Sequence, residues 1–312
     1  MLPSFDLVDI QSPFIYPAFL AGTFALKMNI PLFYHMRGNL LQTHLKSKKI
    51  KKLIFLQIFE NKIIRNSTTL IALNQCEKDA FATIAPAVPC RIVPNGINLP
   101  QHVNLHATRK NIHKKWKISD DAQVILYLGR IHIWKRVDLL LKAFEKIAFN
   151  FPKAILVIAG KDEINLQQQT QKIFLHHSVL KRVIFTGPIY NLEKHEILSR
   201  ADIFCLPSKG EGLSVSILEA LAYGIPVLIT PECNFPDVER YNLGRVANAN
   251  ENEFTKSLSF LLAQMCSRQK TREACKKYAS FYNLDKISNM LIDVYSEGIA
   301  RHKTKNQKNV LV

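Results

Sequence analysis

Glu211 and Glu219 lie in the stretch Ser208–Gly224 (SKGEGLSVSILEALAYG) with seven residues between them. The first sits in a Gly210-Glu211-Gly212 turn. The second falls on a helical pattern, since Val215, Leu218, Leu221 and Ala222 recur at helical spacing and Ser214 or Ser216 supplies a hydroxyl for the first turn. Backbone amides at such a helix start point outward and suit an anion. On the residues alone a blander reading stays open, in which one carboxylate caps the helix and the other is solvated. A second polar group follows the apolar run Gln123–Leu128. Gly129 lets the chain turn sharply at the end of that run, and Arg130 and Lys135 come directly after it. Each cation alone could be a solvated surface residue.

The flanking elements say where these groups must sit. Ala201–Pro207 and Ile225–Thr230 are short apolar runs, so the local unit reads strand, glycine turn, helix, strand, as beside a parallel sheet. Further buried strands are read at Ala154–Ala159 and Val183–Thr186, the latter leading into Gly187, Pro188 and Ile189. Helices are read at Val137–Phe149, Leu192–Arg200 and twice within 251–279. Nearer the N-terminus, Leu7–Ile10, a helix from Tyr16 to Met28 and Ile30–Tyr34 form one β-α-β unit. Thr69–Asn74 is a strand leading to a helix capped by Asn74 with Glu77, and Arg91–Ile97 is a strand ending in an Asn-Gly turn. Residues 99–117 are polar and basic and read as a linker, and the segment from Arg301 reads as a disordered basic tail.

Composition narrows the function classes. With 312 residues, 47% of them apolar, the chain can build two cores, and no run approaches the ~18 apolar residues of a membrane span. The N-terminus lacks a signal-peptide layout. Six cysteines without C-x-x-C or zinc spacing read as reduced thiols of a cytoplasmic protein. A net charge of +17 calls for an anionic partner. No helix-turn-helix, RNP-like or zinc pattern is present, so nucleic acid is not that partner. The stretch 44–65 carries seven Lys and Arg residues, with His44, against the single acid Glu60, interleaved with apolar residues. It reads either as a helix on an anionic membrane surface or as one that buries one face and solvates the other.

The sequence E-G-L-S-V-S-I-L-E-A-L-A-Y-G-I-P-V resembles the E-x7-E signature of retaining glycosyltransferases of the two-Rossmann (GT-B) architecture, family 4. Gly129–Arg136 is similar to that family's G-R-L-H-x-x-K-G segment, with Arg136 where glycine is common. Val93–Ile97 is similar to its V-I-P-N-G-V-D signature, and His35–Leu40 to its P-R-G-M-L loop. The resemblance implies an α/β fold of two Rossmann-like domains: a shortened N-terminal acceptor-side domain over 1–105, a complete donor-binding domain over 106–282, a terminal helix over 283–300 that returns to the first domain, and the tail 301–312. In the family a further segment with a Gly-rich loop precedes the part matched here, and this chain has no glycine before Gly22.

The resemblance also implies site roles. Arg130 and Lys135 would hold a donor diphosphate and, with Glu211, form the catalytic set. Gly129, Gly212, Leu213, Ser214 and Glu219 would complete the donor site, and Gly187 and Ile189 would meet the nucleotide base. Glu211 would bond hydroxyls of the donor sugar and Glu219 those of the ribose. Arg37 is either an acceptor-side arginine or a surface-loop one. Gln11, with Asp9 before it, stands where family members often carry histidines, the second frequently close to the reacting sugar.

The implied chemistry is transfer of a sugar from a nucleotide diphosphate sugar to a glycan or lipid-linked hydroxyl, without cofactor or metal. The competing reading is a nucleotide-sugar-binding remnant whose short front half and Gln11 no longer support catalysis.

Overall fold

The computed structural model describes residues 5–38, 54–100, 105–174, 176–264 and 269–310, without the side chains of 105–110, 171, 173 and 308–310. By internal contacts the chain divides into two units, one ending at Gly96 and resuming at Leu284, the other running from Ile97 to Asn283.

In the first unit β1 (Val8–Ile10), β2 (Leu32–His35), β3 (Thr69–Ala72) and β4 (Cys90–Ile92) lie side by side in that order, all parallel. Parallel neighbours need crossovers, which α1 (Tyr16–Lys27), α2 (Asn61–Arg65) and α3 (Gln75–Ile84) supply. Strand alternation divides the apolar residues between two faces. Leu32, Tyr34, Leu70 and Ala72 join Ile10, Ala25 and Phe81 in one core, whereas Phe33 and Ile71 face the other way and meet Ile287 and Val294. Asn74 caps α3 through its Oδ1, which accepts the Glu77 N–H at 3.0 Å, a contact of about 1 kcal/mol.

The second unit holds β5 (Gln123–Leu128), β6 (Ala154–Ala159), β7 (Val183–Gly187), β8 (Ile203–Leu206), β9 (Val227–Ile229) and β10 (Gly244–Val246) in the order β10-β9-β8-β5-β6-β7, again all parallel. The chain steps outward from β5 to β7, then returns to the other side of β5 for β8. The carboxyl ends of β5 and β8 therefore form a topological switch point, where doubly wound sheets bind ligands.

The helices of this unit are α4 (Leu105–Trp116), α5 (Val137–Ile147), α6 (Leu166–Ile173), α7 (His177–Leu180), α8 (Asn191–Arg200), α9 (Val215–Ala222), α10 (Asp237–Arg240), α11 (Glu251–Ala263) and α12 (Gln269–Ala279). The last helix, α13 (Leu284–Val310), belongs to the first unit. Gly298 lets it lie close on the sheet, because a Cβ there would stand 2.6 Å from the Phe33 ring.

Two sequence expectations are corrected. Much of the expected linker 99–117 is helical: α4 buries Ile112 and is tied to α8 by Asn111, which donates to Glu196 at 2.7 Å, and by Lys115, which pairs with Glu193. Its apolar residues are too few to give a periodic signal, so a polar helix looked like a linker. The segment from Arg301 is not a disordered tail but continues α13 to Val310. Arg301 Nη2 donates to Thr69 Oγ1 at 2.9 Å, and His302 Nε2 lies 3.0 Å from the Asn29 carbonyl oxygen.

Of the basic stretch 44–65, residues up to 53 lie outside the described part. The rest is helical, with Leu56, Ile63 and Ile64 buried. Its one acid is Glu60. It is buried and accepts hydrogen bonds from Tyr34 OH at 2.6 Å and Phe14 N at 3.0 Å.

Candidate functional site

At the carboxyl edge of the second sheet the backbone is packed to contact. Gly129 N donates to the Ala159 carbonyl and Gly160 N to that of Gly187, both at 2.9 Å, which ties the ends of β5, β6 and β7 together. A Cβ on Gly160 would lie 1.8 Å from the carbonyl oxygen of Gly129, so only glycine allows this approach. The chain then delivers Arg130, whose side chain is 68% exposed and 3.3 Å from Glu163. Tyr127 OH holds the Arg130 carbonyl at 2.6 Å; burial, with the Glu211 charge behind it, raises that phenol's pKa, so it remains a donor.

Lys135 closes the short helical turn Ile133–Lys135, which His132 caps by accepting the Trp134 N–H. The Trp134 carbonyl receives Lys209 N at 2.7 Å and Ser208 Oγ at 3.3 Å, which joins the loop after β5 to the loop after β8. That junction brings Lys135 Nζ to 2.5 Å from Glu211 Oε1, with the two side chains 22% and 11% exposed. Glu211 is held from its other side as well. Its N–H donates to the Glu232 carbonyl at 3.0 Å, and its own carbonyl accepts from Asn234 Nδ2 at 2.6 Å. Beneath it, burial and the Glu211 charge push the Cys233 thiol up to about 12.

Glycines 210 and 212 then lead into α9. Leu213 is buried, and Ser214 occupies the N-cap position with no side-chain cap bond, its hydroxyl engaged instead with Ser216 at 3.0 Å. The first turn of α9 thus follows the carboxyl end of β8 with no cap bond from the Ser214 side chain. Further along α9, Glu219 Oε1 accepts from Lys194 Nζ at 2.7 Å. Gly187 has φ +69° with open space where a side chain would be, and Ile189, two residues on, is buried.

The structure thus brings Lys135 and Glu211 into contact and sets Gly129, Arg130, Gly187, Ile189, Gly212, Leu213 and Ser214 on the loops at this edge and the α9 start they lead into. Lys194 and Asn234, which hold the two glutamates or their backbone, had no sequence signal.

A second constellation occupies the carboxyl edge of the first sheet. Arg37, in the left-handed region at φ +49°, donates through Nε and Nη2 to Gln11 Oε1 and through Nη1 to Asn95 Oδ1, at 3.0 Å for Nε and 2.7 Å for Nη1. Gln11 donates in turn to Asp9 Oδ2, which also accepts from Tyr295 OH at 2.7 Å, and Asp9 Oδ1 lies 3.0 Å from the buried His35 Nε2. Burial works to raise the pKa of Asp9, but the bonds from His35, Tyr295 and Gln11 and the charge of His35 outweigh it and hold the carboxyl below its usual range. Burial raises the pKa of Glu77, which accepts Gly38 N at 2.5 Å and Leu73 N at 2.8 Å and so fixes the loop carrying Arg37. The Arg37 guanidinium is anchored on two sides, by Gln11 and by Asn95. Asn95 was visible in the sequence only as a turn residue, and Tyr295 only as an apolar helix position.

The described residues contain no cluster of three or more His, Cys, Asp or Glu able to hold a metal, and Cys76, Cys90, Cys205, Cys233 and Cys275 are free thiols. Among the described residues no helix is long and apolar enough to cross a membrane.

Two parallel α/β units with a doubly wound sheet and this edge of cations, carboxylates and a helix start define the GT-B class of fold. The model of the family Glycosyl transferases group 1 matches residues 108–280, and the chain belongs to that family. An uncharacterized glycosyltransferase of Methanocaldococcus jannaschii is 24% identical over 256 residues, which is 80% of this chain and 63% of that protein. Sucrose-phosphate synthase of Thermosynechococcus elongatus shares the fold with a TM-score of 0.78 at 17% identity, over 95% of this chain and 74% of its own. HepE of Anabaena, solved in complex with UDP, gives 0.74 at 18% identity over 94% and 79%. Alignments to the curated relatives that head the comparison span between 32% and 63% of those proteins' lengths.

Proposed function

We propose that the chain binds a nucleotide diphosphate sugar at the carboxyl edge of the second sheet and transfers the sugar, with retained configuration, to a hydroxyl of a glycan or lipid-linked acceptor in cell-envelope polysaccharide synthesis. The observation that carries this reading is the Lys135–Glu211 contact beside the start of α9 and the exposed Arg130. The bond from the anomeric carbon to the diphosphate oxygen breaks, and its electron pair leaves on the diphosphate. The acceptor oxygen bonds to the same face of that carbon, and its proton passes to the departing diphosphate.

Charge on the leaving group is what needs stabilising. Arg130, Lys135 and the amide end of α9 supply it, so the reading requires no metal. In the described pairing Lys135 is neutralised by Glu211. Donor phosphate would draw the ammonium toward itself and leave Glu211 to accept from sugar hydroxyls, while Glu219, steadied by Lys194, accepts from the ribose. Gly187 and Ile189 would face the base, and Arg37 and Gln11 the acceptor. UDP in the HepE structure supports a uridine donor as the first to try. The basic stretch 44–65 would meet an anionic membrane surface from the cytoplasmic side.

Calorimetric titration with UDP, GDP and ADP, repeated on Arg130→Ala and Glu219→Ala, tests the donor site. Saturable binding of one nucleotide that both substitutions abolish is the expected result. No binding by a folded chain would remove the assignment. Binding without turnover of the matching sugar nucleotide would favour the impaired-remnant reading, which Gln11 in place of a histidine motivates.

A further inference from the structure

The first unit has a second polar locus, at the opposite end of its sheet from Gln11, Arg37 and Asn95. A cavity of about 1010 Å³ opens against the residues that precede β2, β3 and β4: Ile30, Thr68 and Pro89. Lys27, Lys62, Arg65, Arg301, His302 and Lys305 line it, and among the described residues no Asp or Glu does. Among the described residues none of these six forms an ion pair with a carboxylate. Arg65 and Arg301 spend one N–H each on the Ile84 carbonyl and Thr69 Oγ1, which orients them and leaves their charge uncompensated. Such a concentration of cations in a concave site raises the local positive potential and favours anions.

The remaining wall mixes uncharged polar residues, among them Asn29, Asn66 and Ser67, with an apolar part: Phe19, Ile58, Phe59 and Ile63 line it from α1 and the helical stretch ending in α2. Ile58 is 63% exposed and Phe59 37%, and Tyr16, Leu20 and Ile54, which lie on the same two segments, are also exposed. A cationic hollow rimmed by exposed aromatic and aliphatic side chains has the composition that seats at a lipid–water interface, with cations at phosphate level and apolar groups in the acyl boundary.

We propose that this cavity is a binding site for the phosphate headgroups of an anionic bilayer, with the carboxyl-terminal turns of α13 as one wall. The site belongs to the first unit, and the proposal does not depend on the assignment of the donor residues in the second. It shares Lys62 and Arg65 with the basic stretch 44–65 and extends beyond it through Lys27, Arg301, His302 and Lys305. The carboxyl edge of the same sheet stays free for an acceptor while the amino edge contacts lipid.

The test is flotation of the full chain with vesicles of phosphatidylcholine alone and with added phosphatidylglycerol. It is repeated on Lys27→Gln/Lys62→Gln/Lys305→Gln, three exposed lysines whose removal breaks no described hydrogen bond, and on a variant with Lys48, Lys49, Lys51 and Lys52 changed to Gln. Binding to the anionic vesicles is expected, weakened about fivefold for each cavity lysine removed and suppressed by salt. Circular dichroism and UDP affinity should be unchanged in the triple variant. Equal binding to neutral vesicles, or an unaffected triple variant while the 48–52 variant loses binding, overturns the proposal. So does saturation by soluble glycerol 3-phosphate without vesicle binding, which would make the cavity a site for a free phosphate ester.

Discussion

The ammonium of Lys135 lies 2.5 Å from the carboxylate of Glu211, across 76 residues of sequence, and both side chains are largely withdrawn from water. A cation held this way is positioned for an incoming diphosphate, and its partner is positioned for hydroxyl groups once the cation shifts. Lys135→Ala should weaken nucleotide diphosphate binding about ten- to hundredfold, the worth of a hydrogen bond to a charged group. Glu211→Gln should lower turnover more than nucleotide affinity. In the double variant the two losses should be non-additive in a calorimetric cycle, and strictly additive effects would show that the contact is not part of donor binding.

Gly160 tests the packed edge. Gly160→Ala forces a methyl group into the Gly129 carbonyl and should cost about 3 kcal/mol or more in urea unfolding, with loss of nucleotide binding because Arg130 follows Gly129 directly. Gly187→Ala has the same left-handed demand at φ +69° but meets no atom within 4 Å, so it should cost only about 1 kcal/mol. Similar losses at both positions would place the constraint in the backbone angle alone and not in the close approach.

Arg136 adopts φ +51°, ψ +40° at the N-cap of α5, which is the physical reason glycine is common there in the family it resembles. Arg136→Gly should stabilise the chain by about 0.5–1 kcal/mol, since relief of the left-handed strain outweighs the half-exposed pair with Asp138. Arg136→Val should destabilise it, because a β-branched side chain tolerates that region poorly. Thermal unfolding of the two variants decides the sign.

Asp9 links folding to pH. Its pKa is lower in the folded chain than the ordinary 3.8, so its contribution is complete above that value and is lost as pH falls through the lowered folded value. Tyr295→Phe removes one of the hydrogen bonds that lower it. The folded pKa should therefore rise and acid unfolding should begin at higher pH, with little change at pH 7 beyond the lost bond. An unchanged acid midpoint would mean that the Tyr295 bond does not set the Asp9 titration.

Much of the architecture was legible in the chain itself. Strands such as Val124–Leu128 and Ala154–Ala159 are continuous apolar runs because both faces of a parallel sheet are covered, and α5 repeats apolar residues (Val137, Leu140, Leu141, Phe144, Ile147) at helical spacing because one face is buried. Glycines at strand ends, the Asn74–Glu77 cap and the Glu211–Glu219 spacing are local features, fixed within a few residues, and the donor segments could be read from them. The helix over Leu105–Trp116 and the continuation of α13 past Arg301 escaped that reading because polar, charged helices carry little periodic signal. Their stability comes from contacts with α8, Thr69 and Asn29, which belong to other parts of the chain.

Pairing was decided only by the tertiary structure. Arg37 and Asn95 are 58 residues apart, Asp9 and Tyr295 are 286 apart, and Lys194 meets Glu219 across 25. Nothing local distinguishes Lys194 or Tyr295 from other surface lysines and helix tyrosines. Their roles arise because parallel strands place their carboxyl ends along one edge, and the crossovers then deliver side chains from distant sequence to that edge. The same geometry gathers five lysines and arginines from α1, α2 and α13, with His302 beside them, at the opposite edge of the first sheet, where the sequence shows only scattered lysines and arginines.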